Sequence, residues 1–464
     1  MSAIGKLLDR RAQLRHRLKA LGASGQLGYG IPEKSLAAGI ERSPDYIGAD
    51  MGSVDPGPYY LGSGEMATAP ATTRADLTRL LRAARKLDVP LLIGTAGSAG
   101  AAPHLEKTLA MVRDVAREEG LHFRLASIRA DMPRQLVKQA VRSGRVTPID
   151  SMAPLCEGDV DEASHIVGQM GTEAFGRALR TEADVVIAGR ACDTGIFAAV
   201  PALLGCPMGP AMHMAKIVEC ASLCCVPGGR DPILATLEGD SFVLDSMNPE
   251  RRATPMSVAA HSLYEQSDPD RVAEPEGVLL VRYARYEAID ERRTRVSGAE
   301  WLPAAAPTIK LEGSVRVGER AVLLCGSCDQ RVIARIGDIL AEVSEVVRGL
   351  VCRDEPEDYQ LIFRVYGIDG VYAWPAPPDP LPREIFILGE CIAPTAERAS
   401  AVVRTTKQYL LHHGFPGRLS TAGNIAFPFT PPELSGGTAY RFNVYHIMQV
   451  DELPPLFPVE IEDL

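Results

Sequence analysis

An arginine and an aspartate three residues apart, directly after a short aliphatic run, are the residues of this chain best suited to chemistry. They lie in Ala183-Asp184-Val185-Val186-Ile187-Ala188-Gly189-Arg190-Ala191-Cys192-Asp193-Thr194. A guanidinium grips a carboxylate or phosphate at two points, and Asp193 is near enough to orient it or to move a proton. The alternative is an Arg–Asp pair that closes a helix N-terminus. A second set follows on one helical face, where His213, Lys216 and Cys220 fall at three- and four-residue steps, so that an imidazole and an ammonium can look into one cleft. Core packing of His213 is the alternative there. Asp193, His213 and Lys216 are the catalytic candidates.

Glycine-rich turns supply the binding candidates. Leu91-Leu92-Ile93-Gly94-Thr95-Ala96-Gly97-Ser98-Ala99-Gly100 reads as a buried strand, a glycine loop and then a helix, with Leu105, Leu109, Val112 and Val115 at helical spacing. A helix start after small residues exposes backbone N–H groups, which favours a carboxylate or phosphate. Gly94, Thr95, Gly97 and Ser98 are therefore substrate-binding candidates together with Arg190. Ser98 also sits in a turn similar to a nucleophile elbow, for which His213 or His261 would have to supply the base. The segment Asp50-Met51-Gly52-Ser53-Val54-Asp55-Pro56-Gly57-Pro58 is a second shaped loop and adds Ser53 and Asp55. Asn248, Arg251, Arg252, Ser257, His261 and Glu265 form a further polar group, of which Arg252 and His261 are taken as binding candidates. Lys310 with Glu312, and Arg418 with Asn424, are additional pocket candidates. No GxxxxGK[ST] or GxGxxG motif is present, so nucleotide and dinucleotide binding have no support.

These groups need a parallel sheet to bring them together. Strands are expected at Tyr46–Ala49, Leu91–Gly94, His122–Ser127 and Asp184–Ala188, and helices at 73–86, 104–119, 133–143, 160–180 and 211–224. Such alternation gives βαβ units around a mostly parallel sheet. The fold expected is an α/β N-terminal domain followed by an α+β C-terminal region. Its parts are a basic amphipathic helix within 1–22, an α/β domain over 23–230, an α+β region over 231–375 and a C-terminal α+β region over 381–464. The proline-rich stretch 374–380 reads as a linker or exposed loop.

Composition narrows the class. The net charge is −10 and the pI about 5.5, which argues against a nucleic-acid binder or a protein of anionic membranes. No stretch reaches the roughly 18 to 20 apolar residues of a membrane span, and no secretory core is seen. The ten cysteines are scattered through apolar segments, and neither the CxxC at Cys325 and Cys328 nor the adjacent Cys224 and Cys225 has the companions of a zinc site. A cytoplasmic protein is expected. Asp50, Asp55, Glu65 and Asp193 offer oxygen atoms, but no metal-ligand set is assigned.

The blocks GQLGYG (25–30), DMGSVDPGPYYLGSG (50–64), LLIGTAGSAGA (91–101), ADVVIAGRACDTGIFAA (183–199), HMAKIVEC (213–220), MNPERRATPMSVAAHSLYE (247–265), KLEGSVRVGER (310–320), LLHHGFPGRLSTAGNIAFPF (410–429) and YRFNVYHIM (440–448) together resemble the acyclic terpene utilisation (AtuA-like) family. The resemblance spans about 24–452. It implies catabolism of small branched or unsaturated carboxylic acids or their CoA thioesters, and it carries no agreed catalytic residue. With the residues above, the expectation is a homo-oligomeric hydro-lyase or isomerase. Asp193 or His213 moves a proton, Lys216 stabilises developing negative charge, and Arg190 with the glycine loops holds the anionic group. No redox cofactor is called for, while a divalent metal or CoA stays open. A serine-dependent hydrolase using Ser98 and a non-catalytic subunit of a catabolic complex are the other two readings.

Overall fold

The computed structural model describes residues 2–264, 266–352, 358–376, 378–419 and 425–464. The candidates Glu265 and Asn424 lie outside them. The chain forms two compact units, Met1–Val315 with Phe442–Leu464, and Arg316–Arg441. These limits do not coincide with the boundaries drawn from the sequence.

The first unit is built on a large mixed sheet. Five strands run parallel in the order Leu18–Ser24, Tyr46–Asp50, Leu91–Gly94, Val185–Ala188 and Arg124–Ile128. Antiparallel strands extend it from Ile233–Glu238 on one side and with Val459–Asp463 on the other. The aliphatic runs form central strands because both faces are covered, so every second side chain enters a different layer. Leu91, Ile93, Val185 and Ile187 pack with Leu77, Leu80, Leu105 and Val112 of the helices Pro70–Leu87 and Ala102–Glu119. Tyr46, Leu92 and Val186 pack on the other side with Phe175 and Phe197 of the helices Thr172–Arg180 and Asp193–Leu204. Each such aliphatic burial stabilises the fold by roughly 1.5–3 kcal/mol.

Strand Val185–Ala188 enters between two strands that precede it in sequence. The direction of winding therefore reverses beside Leu91–Gly94. At such a point the loops leaving the carboxyl ends diverge and open a crevice, which is where ligands of doubly wound sheets bind.

Three elements differ from expectation, the first being the helix expected over 211–224, which ends at Val218 and is followed by a separate 3-10 turn, Ala221–Cys224. The basic helix expected within 4–21 is two short helices, Ala3–Asp9 and Arg11–Leu14, followed by the buried strand Leu18–Ser24. Leu14, Leu18 and Leu21 satisfy helical spacing, yet Leu18 and Ala20 enter one core layer while Leu21 and Ala23 enter the other, which only an extended chain can do. The helix expected over 160–180 is interrupted by the strand His165–Gly168, which pairs with Leu311–Ser314.

The second unit is an antiparallel sheet with two helices, Ile336–Val351 and Ala396–His412, buried against one face through Val343, Val347, Val402 and Leu410. The strand Ile385–Ala393 pairs with Gln360–Tyr366 on one side and with Glu319–Ser327 on the other. This is the split βαβ arrangement. The proline-rich stretch connects two strands of this one sheet.

Candidate functional site

The turns predicted to converge do meet. Thr95 donates its amide to the Gly189 carbonyl at 3.0 Å, Ala96 to Ala188 at 2.9 Å, and Arg190 to Gly100 at 3.1 Å. Gly100 has φ +68, and an added Cβ there would run into the Arg190 backbone amide. Glycine is required at that crossing because the chain is both left-handed and in backbone contact. Thr95 and Ser98 also hold positive φ, +49 and +87, a strain that only a tightly determined turn retains. Asp50 closes the neighbouring strand and accepts the Gly52 amide at 2.7 Å through Oδ2, while its buried Oδ1 has no hydrogen-bond partner.

Arg190 is 4% exposed and Glu312 fully buried. Nε donates to Glu312 Oε2 at 2.7 Å and Nη2 to Oε1 at 3.3 Å, a two-point fork, and Nη1 reaches the Ala191 carbonyl at 3.1 Å and Thr95 Oγ1 at 3.5 Å. Burial lowers the proton affinity of the guanidinium, but the charge and hydrogen bonds of Glu312, with Asp193 and Asp50 behind them, outweigh that and raise it. For Glu312, burial alone would raise the carboxyl, but Arg190 and Lys310 together hold it below the usual carboxylate range. Lys310 Nζ lies 3.1 Å from Glu312 Oε1, donates to the Tyr445 hydroxyl at 2.8 Å and sits 4.2 Å above the Tyr445 ring centre. Arg190 thus already has a carboxylate: one supplied by the protein.

Lys216 lies on the helix Met208–Val218 and donates to Glu219 one turn on, both side chains being buried. Gly25 permits this junction, since any side chain there would collide with the Glu219 carbonyl and the Cys220 backbone. Burial lowers the ammonium's proton affinity, yet Glu219 and then Asp193 raise it overall. Burial likewise drives the Glu219 carboxyl up to about 8, against the pull of Lys216 and with the help of Asp193. Asp50 is pushed well above the usual carboxylate range, first by burial and then by Asp193. Glu274, at the end of the strand Arg271–Glu274, rises to about 7 through burial, with Glu276 and Asp193 adding to it. Asp50, Asp193, Glu219, Glu274 and Glu312 thus share one electrostatic neighbourhood with the cations Arg190, Lys216 and Lys310. Carboxyls outnumber cations, and like charges in a low-dielectric interior cannot all ionise. Burial and mutual repulsion together raise the proton affinity of Asp50, Glu219 and Glu274.

Of the remaining candidates, His213 and His261 lie beside Lys216 without joining this set of charges, and the others stand elsewhere. His213 is fully buried, its Nε2 2.9 Å from the Ser262 hydroxyl and its ring edge-on to Phe242 and Tyr286, and burial lowers it to about 3. His261 stacks on Tyr264 at 5.3 Å and falls to about 4 through burial and then Lys216, which lies 6.0 Å from the same ring. Ser53 accepts the Asp55 amide at 3.1 Å in a local turn, and Asp55 is exposed. Arg252 is exposed, whereas its neighbour Arg251 binds Asp231 and the carbonyls of Pro227 and Gly228. Ser257 forms a capping box with Thr254, and Arg418, in the second unit, donates to the His412 carbonyl at 2.9 Å. Ser98 Oγ is buried without a hydrogen-bond partner, so no imidazole activates it. A cavity of about 830 Å³ in this unit, lined by Lys6, Arg10, Lys19, Asp45 and Asp88, lies at the amino-terminal edge of the strands, away from this cluster.

Among the described residues, no group of three or more His, Cys, Asp and Glu side chains is placed to hold a metal ion. None of the ten cysteines forms a disulfide. No helix among the described residues is long and apolar enough to cross a membrane.

The fold and the site define a mixed α/β protein with an acid-rich interior at the carboxyl ends of its parallel strands. A family model described as acyclic terpene utilisation family protein AtuA matches residues 72–229 and 232–428, most of the chain. The protein belongs to that family. Neither a curated protein nor a solved structure matches it.

Proposed function

We propose that the protein is a catabolic enzyme of acyclic terpene utilisation that adds water to, removes water from, or isomerises a small branched or unsaturated acyl group, carried as a carboxylic acid or its CoA thioester. The observation that carries this reading is the pair of carboxyls acting on Lys216, the buried Glu219 that it touches and the half-buried Asp193. A proton-bearing acid, an ionisable base and a fixed cation are what chemistry beside a carbonyl requires. In the hydration direction Asp193 takes a proton from water as its oxygen bonds to the β-carbon, Glu219 delivers a proton to the α-carbon, and Lys216 holds the negative charge that develops on the carbonyl oxygen between the two events. Glu219 replaces His213 in this scheme, because the imidazole is enclosed by Ser262, Phe242 and Tyr286.

Arg190, engaged by Glu312, positions the turn 94–100, and the unpartnered Ser98 hydroxyl donates to the substrate's carbonyl or carboxylate. The scatter of the cysteines through apolar segments supports a reducing, cytoplasmic setting. The proposed partners are the acyl substrate and further copies of the chain, with no nucleic acid.

The test is turnover of branched enoyl and β-hydroxyacyl thioesters and the free acids by the wild type, Asp193→Asn and Glu219→Gln. One well-placed acid or base contributes about 10²- to 10⁴-fold, so both variants should lose turnover on that order. Unchanged turnover in both ends the assignment. Mass spectrometry of small molecules retained on purification identifies the acyl group.

A further inference from the structure

The two ends of the large sheet are guarded against pairing with other chains. Its terminal strands are Arg285–Ala288, with Arg285 and Glu287, and Val459–Asp463, with Glu460, Glu462 and Asp463. Charges on an edge are the usual defence against a second strand. The edge strand of the second unit, Gln360-Leu361-Ile362-Phe363-Arg364-Val365-Tyr366, carries one charge, no proline and no acid. Its outward side chains include Ile362, 40% exposed, and the connection that follows presents Val371 at 90% and Trp374 at 64%. Trp374 lines a cavity of about 510 Å³ together with Phe363, Val365 and Ile368, and this cavity lies on the helix-covered face of the strand, opposite Ile362. A long apolar edge beside exposed aromatics is the composition of a protein interface, with the aromatic residues as its anchors.

We infer that this edge is where a second copy of the chain adds its own Gln360–Tyr366 strand, antiparallel, across a two-fold axis. The occupant follows from charge and register. The Val365 carbonyl is already taken by the amides of Ile368 and Asp369, which leaves Gln360–Arg364 to pair, centred on Ile362. That register sets Gln360 opposite Arg364 and Ile362 opposite Ile362, with no like charges facing. A two-fold contact must be self-complementary in this way.

Light scattering after size exclusion on the full chain tests it. The wild type should be a dimer, and Ile362→Lys, which sets two ammonium groups face to face, a monomer with unchanged circular dichroism. Ile362→Cys provides a readout independent of any effect of Ile362→Lys on the unit's own stability. Mild oxidation should join its two copies by a reducible disulfide that peptide mass analysis places at residue 362, which separates it from any link through the exposed native Cys156 and Cys328. A monomeric wild type, a dimer that survives Ile362→Lys, or an Ile362→Cys variant that never cross-links overturns the inference.

Discussion

Arg190 and Glu312 stand 122 residues apart in sequence and meet in a two-point ion pair, Nε to Oε2 at 2.7 Å, sealed from solvent. The arginine that the sequence offers as a ligand for a substrate anion is thereby turned into the fixed point to which the turn 94–100 and the loop after Ala188 are tied.

Glu312→Gln leaves the guanidinium buried without its counter-charge. Breaking a buried pair from one side costs about 3–5 kcal/mol, so the urea midpoint should fall steeply. The double variant Arg190→Met, Glu312→Leu should recover a large part of that loss.

Gly100→Ala and Gly120→Ala separate backbone strain from collision. Both glycines have positive φ, +68 and +60, but only at Gly100 does a Cβ meet another chain segment. Gly120→Ala should cost about 1 kcal/mol, the strain alone. Gly100→Ala should cost at least about 2–3 kcal/mol, measured in the same denaturation series.

Glu219 links stability to pH. Its carboxyl has a raised proton affinity in the folded state, about 8 against an ordinary 4.5, so the folded chain binds a proton that the unfolded chain has released. The stability this contributes is fully present below about 4.5 and is lost as pH rises through about 8. Between those values wild-type unfolding free energy should decline, and Glu219→Gln should decline less. Equal slopes contradict the assignment.

His213 provides the contrast. His213→Ala removes a buried ring and with it one partner of Ser262, whose hydroxyl keeps its bond to the Val258 carbonyl, so it should destabilise by about 2–4 kcal/mol. Turnover per folded molecule should stay near the wild-type value, unlike that of Glu219→Gln.

The strand Leu91–Gly94 and its glycine turn were legible because an aliphatic run followed by small residues has few other uses. The convergence of that turn with Arg190 was legible for the same reason, since parallel strands aim their following loops at one edge. The strand Leu18–Ser24 was hidden because Leu14, Leu18 and Leu21 also fit a helix, and only the two core layers decide between them. His165–Gly168, as long as Leu91–Gly94, was hidden because only Ile166 and Val167 in it are aliphatic and no glycine-rich turn marks its end. Glu274 and Tyr445 were missed because they reach their partners from distant strands. Glu219 was written beside Lys216 at a three-residue step, a visible signal whose meaning depended on burial that the helix alone does not reveal.

The account rests on two carboxyls, Asp50 and Glu219, that keep their protons at neutral pH beside Asp193 and Lys216. Infrared spectroscopy of the carboxyl C=O stretch at neutral pH measures this directly. The wild type should show a protonated-carboxyl band that loses intensity in Glu219→Gln and disappears as the solution is made alkaline. A spectrum with no such band at neutral pH, or one identical in Glu219→Gln, would contradict it.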